Sequence, residues 1–151
     1  MKRELVVFID SGDTLIDESK EVKDADGTVL SAEMIEGARE TLITLYESGY
    51  TIALVADGTK TSFDNIYQQN GLDYCFSAKA ISGELKQEKP ASIMFRYAME
   101  QLGLTDDDKD RIVMIGNNLK RDIVGANRMG ITSILMSYSP RYVMIPESEE
   151  E

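Results

Sequence analysis

The chain has 151 residues, with 16 Lys and Arg against 27 Asp and Glu, for a formal net charge of −11. That length fits one domain with a real core, and 42% apolar with 28% charged residues is ordinary globular usage. There is no histidine, and Cys75 is the only cysteine; these absences exclude serine–histidine and cysteine–histidine catalysis, histidine metal sites, internal disulfides and cysteine-based zinc sites.

The lone Cys75 reads as a small core residue and fits a reducing, cytoplasmic compartment. Excess negative charge argues against a nucleic-acid partner, whose phosphates need clustered Lys and Arg. The first apolar run, Leu5–Ile9, is too short for a signal peptide or a membrane span, so no membrane partner is expected. Polar chemistry here must come from carboxylates, lysine, hydroxyls, backbone amides and a metal ion.

Leu5–Ile9 is continuous rather than alternating, the pattern of a strand covered on both faces. Residues 17–30 are polar and carry an Asp26-Gly27 turn signal, which predicts a small projecting β-hairpin flap, with a plain surface loop as the alternative. Met34, Ile35, Ala38, Leu42 and Leu45 mark the first helix, and Thr51–Val55 the second strand. Phe63, Ile66 and Tyr67 mark the second helix, and Tyr74–Ser77 is the weakest of the strand runs. Ile93, Tyr97 and Leu102 mark the third helix, Ile112–Ile115 the fourth strand, Ile123, Ala126 and Met129 the fourth helix, and Thr132–Leu135 the last strand. Each helix ends near a glycine: Gly49, Gly71, Gly103 and Gly130. Tyr138–Ile145 is an apolar and aromatic stretch that packs on its own domain or on a second copy in a homo-oligomer. Glu147–Glu151 reads as a frayed acidic tail. The alternation predicts a single α/β domain over residues 1–151, a three-layer Rossmann-like sandwich around a five-stranded parallel sheet.

Ligands of such sheets bind at the carboxyl ends of the strands. Asp10-Ser11-Gly12-Asp13-Thr14 follows the first strand, Ala56-Asp57-Gly58-Thr59 the second, and Gly116-Asn117-Asn118-Leu119-Lys120-Arg121-Asp122 the fourth. Glu88-Lys89-Pro90 opens a helix near the third. Acidic groups at that edge can hold Mg²⁺, which prefers oxygen, while a lysine and helix N-terminal amides can hold phosphate.

These motifs, in this order, resemble the haloacid dehalogenase (HAD) superfamily from Asp10 to Gly130. The resemblance implies a Mg²⁺-dependent phosphatase working through an aspartyl-phosphate on a small phosphorylated molecule. It implies that Asp10 is the nucleophile and Lys89 its catalytic partner. Thr14, Ala56, Asp57, Gly58 and Lys89 would stand around the phosphate, and Asp10, Gly12, Asn117 and Asp122 around the metal. Gly12 would give its carbonyl, and Asp122 would act through a water or by holding Lys89.

Three positions depart from the family pattern. Gly12 stands where an acid/base Asp is usual, Ala56 where a Ser or Thr is usual, and Asn117 where an Asp is usual. Asn117 still offers a neutral oxygen, so metal binding is expected to be weakened rather than lost. The amides of Asp57 and Gly58 can partly replace the hydroxyl missing at Ala56. Without an acid at residue 12, alkyl phosphates are expected to turn over more slowly than aryl or acyl phosphates. Asp13 either bends inward as a replacement or merely caps the turn, the simpler expectation. Metal-independent dehalogenases also lack the second Asp, but they carry a sizeable helical cap. Only 45 residues separate Asp10 from Ala56, so a capless or minimal-cap member is expected. A response-regulator receiver, with Asp57 as phosphate acceptor, would need two β/α units before that Asp, and only one is present. The remaining alternative is a non-catalytic HAD-fold protein that binds a phosphorylated ligand or a protein partner.

Overall fold

The computed structural model describes residues 4–151. Strand β1 (Val6–Ile9) lies at the centre. A two-stranded antiparallel hairpin follows, made of β2 (Val22–Lys23) and β3 (Val29–Ser31). Then come α1 (Ala38–Glu47), β4 (Thr51–Ala56), α2 (Lys60–Gln69), β5 (Ala78–Ile81), the single-turn α3 (Ser82–Leu85) and α4 (Ser92–Gln101). The chain ends with β6 (Ile112–Gly116), a π-helical turn over Leu119–Ile123, α5 (Val124–Met129) and β7 (Thr132–Leu135). The main sheet is parallel throughout, in the order β5-β4-β1-β6-β7.

Side chains alternate across each strand, and this divides the core in two. Val7 and Ile9 pack toward Leu42 of α1 and Phe63, Ile66 and Tyr67 of α2. Val6 and Phe8 pack on the other face toward Met94, Phe95, Ala98 and Met99 of α4 and Ala126 and Met129 of α5. The α/β three-layer sandwich expected from the apolar runs is the observed architecture. Its helices stop where the sequence predicts: Gly49, Gly71, Gly103 and Gly130 all have φ between 69° and 90°.

Several details differ from the sequence reading. The third strand is Ala78–Ile81, not Tyr74–Ser77. Residues Asp73–Cys75 form a 3₁₀ turn, and Tyr74 is exposed, edge-on to Tyr46 at 5.1 Å. Helix α1 starts at Ala38, because Met34 is taken into a bridge with Ile16 at the hairpin base. In α4 the buried stripe is Met94, Phe95, Ala98 and Met99, whereas Ile93 is exposed. The edge strand β7 is covered on one side only.

The hairpin does not project. Val29 N–H donates to Ser62 Oγ at 3.0 Å, Asn65 Nδ2 to Val29 O at 2.9 Å and Gln69 Nε2 to Leu30 O at 2.6 Å, so it is laced along α2. Tyr138–Ile145 folds back over its own domain, the Tyr138 hydroxyl donating to the Thr14 carbonyl and Arg141 pairing with Asp13. The acidic tail is docked as well: Lys120 reaches Glu151 at 2.8 Å and Glu147 at 3.3 Å, and Asn127 donates to Glu150 O at 2.7 Å. Among the described residues no helix is long and apolar enough to cross a membrane.

Candidate active site

Asp10, Asp57 and Asn117 each follow the last residue of a neighbouring parallel strand, so the twist of the sheet delivers them to one edge. Lys89 comes from the loop before α4. Together they line a cleft of about 310 Å³ at the sheet's carboxyl edge. The hairpin contributes Lys23, Gly27 and Val29 to its rim, and the C-terminal segment contributes Tyr142.

Lys89 organises the floor. It is 3% exposed, and Nζ donates to Asp10 Oδ1 at 2.9 Å, Asp122 Oδ1 at 2.5 Å and Val55 O at 2.7 Å. All the donors of one ammonium are used, which is what allows a buried lysine to stay charged. Burial works against that charge, but Asp10, Asp122 and Asp57 outweigh it and hold the Lys89 pKa above the ordinary value. Burial is also the main cause that raises the Asp10 pKa; Lys89 opposes it and Asp122 adds to it. Two carboxylates thus share one ammonium, and the floor carries spare negative charge.

That charge faces further oxygens. The inward atom of the Asn117 amide lies 3.0 Å from Asp10 Oδ2 and 3.3 Å from the Gly12 carbonyl oxygen. With its oxygen inward, three oxygens converge; with its nitrogen inward, the amide donates to both. Octahedral Mg²⁺ binds oxygen at about 2.0–2.1 Å, which puts neighbouring ligand oxygens roughly 3 Å apart. The spacing therefore fits such an ion. Among the described residues no set of three His, Cys, Asp or Glu side chains could hold a metal. The donors here are one carboxylate, one amide and one carbonyl, a set that suits an ion retaining waters and shared with a phosphate.

Asp122 reaches the cleft with both oxygens engaged, Oδ1 by Lys89 and Oδ2 by Asn118 N–H at 3.1 Å. It holds Lys89 rather than facing the converged oxygens. The glycine at 116 makes room for it, since a Cβ there would stand 2.3 Å from the Asp122 carboxylate.

Other expected residues are placed differently. Thr14 is buried behind Asp10, its hydroxyl 3.5 Å from Asp10 Oδ2, and it does not line the cleft. Ala56 is covered by the sheet and does not line it either. Gly58 lines the cleft, but its N–H is spent on Ser82 Oγ at 2.8 Å, so it cannot stand in for the hydroxyl missing at Ala56. Asp57 is a tie: Oδ1 accepts from Lys89 N–H at 3.0 Å and Oδ2 from Arg121 at 3.2 Å. Asp13 is turned away. Its Oδ1 accepts from Glu18 N–H at 3.1 Å, its Oδ2 pairs with Arg141, and it does not line the cleft.

Sequence reasoning passed over Thr59, Ser62, Arg121, Tyr142 and Glu18, all of which line the cleft. Thr59 was readable as an N-cap, and it caps α2 by accepting from Ser62 N–H at 3.3 Å. Glu18 sits in a polar run with no periodicity to single it out. Burial first, then Asp13, raises its pKa against the pull of Arg141.

The sequence matches the family of haloacid dehalogenase-like hydrolases over residues 8–136. The chain belongs to that family. Over 106 residues it is 35% identical to the ribulose-1,5-bisphosphate 5-phosphatase of Halopiger xanaduensis, covering 70% of this chain and 43% of that protein. Over 97 residues it is 30% identical to the glyceraldehyde 3-phosphate phosphatase of Methanothermobacter thermautotrophicus, covering 64% of this chain and 42% of that protein. The chain thus spans less than half the length of these relatives. Among solved structures, a HAD phosphatase from Thermococcus onnurineus superposes with a TM-score of 0.75 at 17% identity, covering 95% of this chain and 90% of that one. The magnesium-bound HAD hydrolase YfnB of Bacillus subtilis gives 0.72 at 15% identity, covering 93% and 91%. Both share the HAD fold with this chain.

Proposed function

We propose that the chain is a Mg²⁺-dependent phosphatase that transfers a phosphoryl group from a small phosphorylated metabolite to Asp10 and then to water. The observation that carries this reading is the buried Asp10–Lys89–Asp122 array beside the converged Asp10, Gly12 and Asn117 oxygens. Phosphatase relatives with substrates of metabolite size support it, as does the modest cleft.

Asp10 Oδ2, Asn117 and the Gly12 carbonyl would hold the ion. Bound there, Mg²⁺ would polarise the phosphoryl oxygens and offset their charge. Lys89 fixes Asp10 through Oδ1 and offsets part of its charge, so the carboxylate and the incoming phosphate repel each other less; with all three donors used, it has none left for the phosphate itself. Asp122 keeps that ammonium aimed, and Asp57 clips the Lys89 backbone to Arg121. The Asp10 carboxylate attacks phosphorus, the ester bond breaks, and water later releases phosphate. A lone, buried cysteine fits this work in a reducing cytoplasm.

A second reading has one specific observation behind it. If the Asn117 NH₂ points inward, it donates to Asp10 and Gly12 and fills the place of the ion. The cleft would then bind a phosphorylated ligand without turnover. The deciding assay follows p-nitrophenyl phosphate hydrolysis with and without Mg²⁺, in the wild type and in Asp10→Asn. Mg²⁺-dependent turnover that disappears in Asp10→Asn supports the enzyme; no turnover in either supports the binding module.

A further inference from the structure

The cleft contains a carboxylate that neither the floor nor the metal donors use. Gly12 is not among the glycines with positive φ, so its backbone would accept a side chain. The space is what forbids one. A Cβ on Gly12 would stand 1.9 Å from Glu18 Oε1, 2.7 Å from its Cδ and 2.9 Å from its Cγ. The Glu18 carboxylate occupies the volume above residue 12, two residues from the Asp10 nucleophile.

It is held there from two sides. Asp17 caps the 3₁₀ turn Glu18–Lys20 by accepting from Ser19 N–H at 3.0 Å. Asp13 Oδ1 anchors the Glu18 N–H at 3.1 Å, and Arg141 from the C-terminal segment meets Glu18 Oε2 at 3.2 Å. Among the described residues Oε1 has no hydrogen-bond donor on it, and Glu18 lines the cleft. Asp57, Asp122 and Asp13 have both oxygens engaged, Asp57 by Lys89 and Arg121, Asp122 by Lys89 and Asn118, Asp13 by Glu18 and Arg141; Glu21 also lines the cleft, but it is Glu18 that fills the volume over Gly12.

We infer that Glu18, bent back over Gly12, is the acid–base group of the phosphoryl transfer, and that Asp13 and Arg141 are its positioning residues. This rests on the phosphatase reading above. In the first step Asp10 forms a bond to phosphorus and the phosphorus–oxygen ester bond breaks. Its electron pair goes to the leaving oxygen, which takes the proton of the Glu18 carboxyl and departs as an alcohol. In the second step the Glu18 carboxylate takes a proton from the water that attacks phosphorus. The bond to Asp10 breaks, its electrons return to the carboxylate, and phosphate leaves. With Glu18 in this role, the preference for aryl and acyl esters expected from Gly12 alone disappears.

The test uses Glu18→Gln with p-nitrophenyl phosphate and glycerol phosphate, and Asp10→Asn beside it. An acid at this position is worth about 10²–10⁴-fold with a poor leaving group. Glu18→Gln is expected to lose glycerol phosphate turnover by that order. It should still release p-nitrophenolate in an initial burst, because that leaving group needs no proton, and then stall with phosphate on Asp10. A purely structural role for Glu18 would lower both substrates together and give no burst. Glycerol phosphate turnover within about twofold of wild type, or the same pattern in Glu21→Gln instead, overturns the assignment. If the wild type itself hydrolyses neither ester, the phosphatase reading fails, and this one with it. Turnover abolished by Asp10→Asn but unchanged in Glu18→Gln refutes this one alone. Gly12→Asp with Glu18→Ala adds a rescue: Ala vacates the volume above residue 12, a carboxylate returned to it is expected to restore glycerol phosphate turnover, and a double variant as slow as Glu18→Ala counts against the role.

Discussion

Replacing Lys89 by Met removes one ammonium and leaves its partners behind. Nζ is bonded to Asp10 Oδ1 at 2.9 Å, Asp122 Oδ1 at 2.5 Å and Val55 O at 2.7 Å, with the lysine 3% exposed. Methionine matches the length of the stem, so the loss is electrostatic rather than steric. Breaking a buried ion pair from one side costs roughly 3–5 kcal/mol, because the remaining charge is uncompensated. At about 2–4 °C per kcal/mol for a domain of this size, the melting temperature should fall by roughly 6–20 °C. Much of that cost is the two carboxylates meeting without a cation. Asp122→Asn in the same background should therefore restore stability, with a coupling of about 1–3 kcal/mol in a double-mutant cycle. Urea denaturation of the four proteins measures it. A Lys89→Met variant within about 1 kcal/mol of wild type, or additive effects of the two changes, would refute the shared-ammonium account of the floor.

Asn117→Asp should tighten Mg²⁺ binding about tenfold or more, ~1.4 kcal/mol, read by calorimetric titration; unchanged affinity would remove Asn117 from the metal site. Gly125→Ala should destabilise by about 1–3 kcal/mol through overpacking, because a Cβ there would stand 2.5 Å from the buried Phe95 ring and 3.2 Å from Pro90 Cα. A melting temperature equal to wild type would contradict the close approach of α5 to α4. Deleting Glu147–Glu151 removes ion pairs to Lys120 and Arg128, whose basic partners are all exposed although the Glu151 side chain is covered, and should cost under about 1 kcal/mol. A larger loss would show the tail to be part of the fold.

The frame was legible because its evidence is local. The runs Val6–Ile9, 52–56 and 112–115 are apolar throughout, since the sheet's centre is covered on both faces. The third strand was misplaced because β5 lies at a sheet edge, where Ala-Lys-Ala-Ile carries little strand signal. Lys79 survives there by pairing with Asp73. The aromatic Tyr74 looked more strand-like but belongs to a surface turn.

The site divides in the same way. Asp10, Lys89 and Asp122 sit at fixed offsets from strand or helix ends, so their meeting could be read in advance. Whether Asp13 faces the cleft depends on its left-handed φ of 52°, and the place of Glu18 depends on a turn closed by Arg141, 123 residues further along. No linear pattern carries either fact. The glycine at 12 was visible as a missing side chain, but its reason, the volume Glu18 fills, exists only in three dimensions.

The claim that matters most is that Asp10 becomes phosphorylated. Acid quenching during turnover of p-nitrophenyl phosphate with Mg²⁺, followed by peptide mass analysis, reads this directly. The account predicts a hydroxylamine-sensitive phosphoryl group on the peptide containing Asp10, absent from Asp10→Asn. Steady turnover with no phosphoryl group on that peptide, or with one on a different residue, would contradict it.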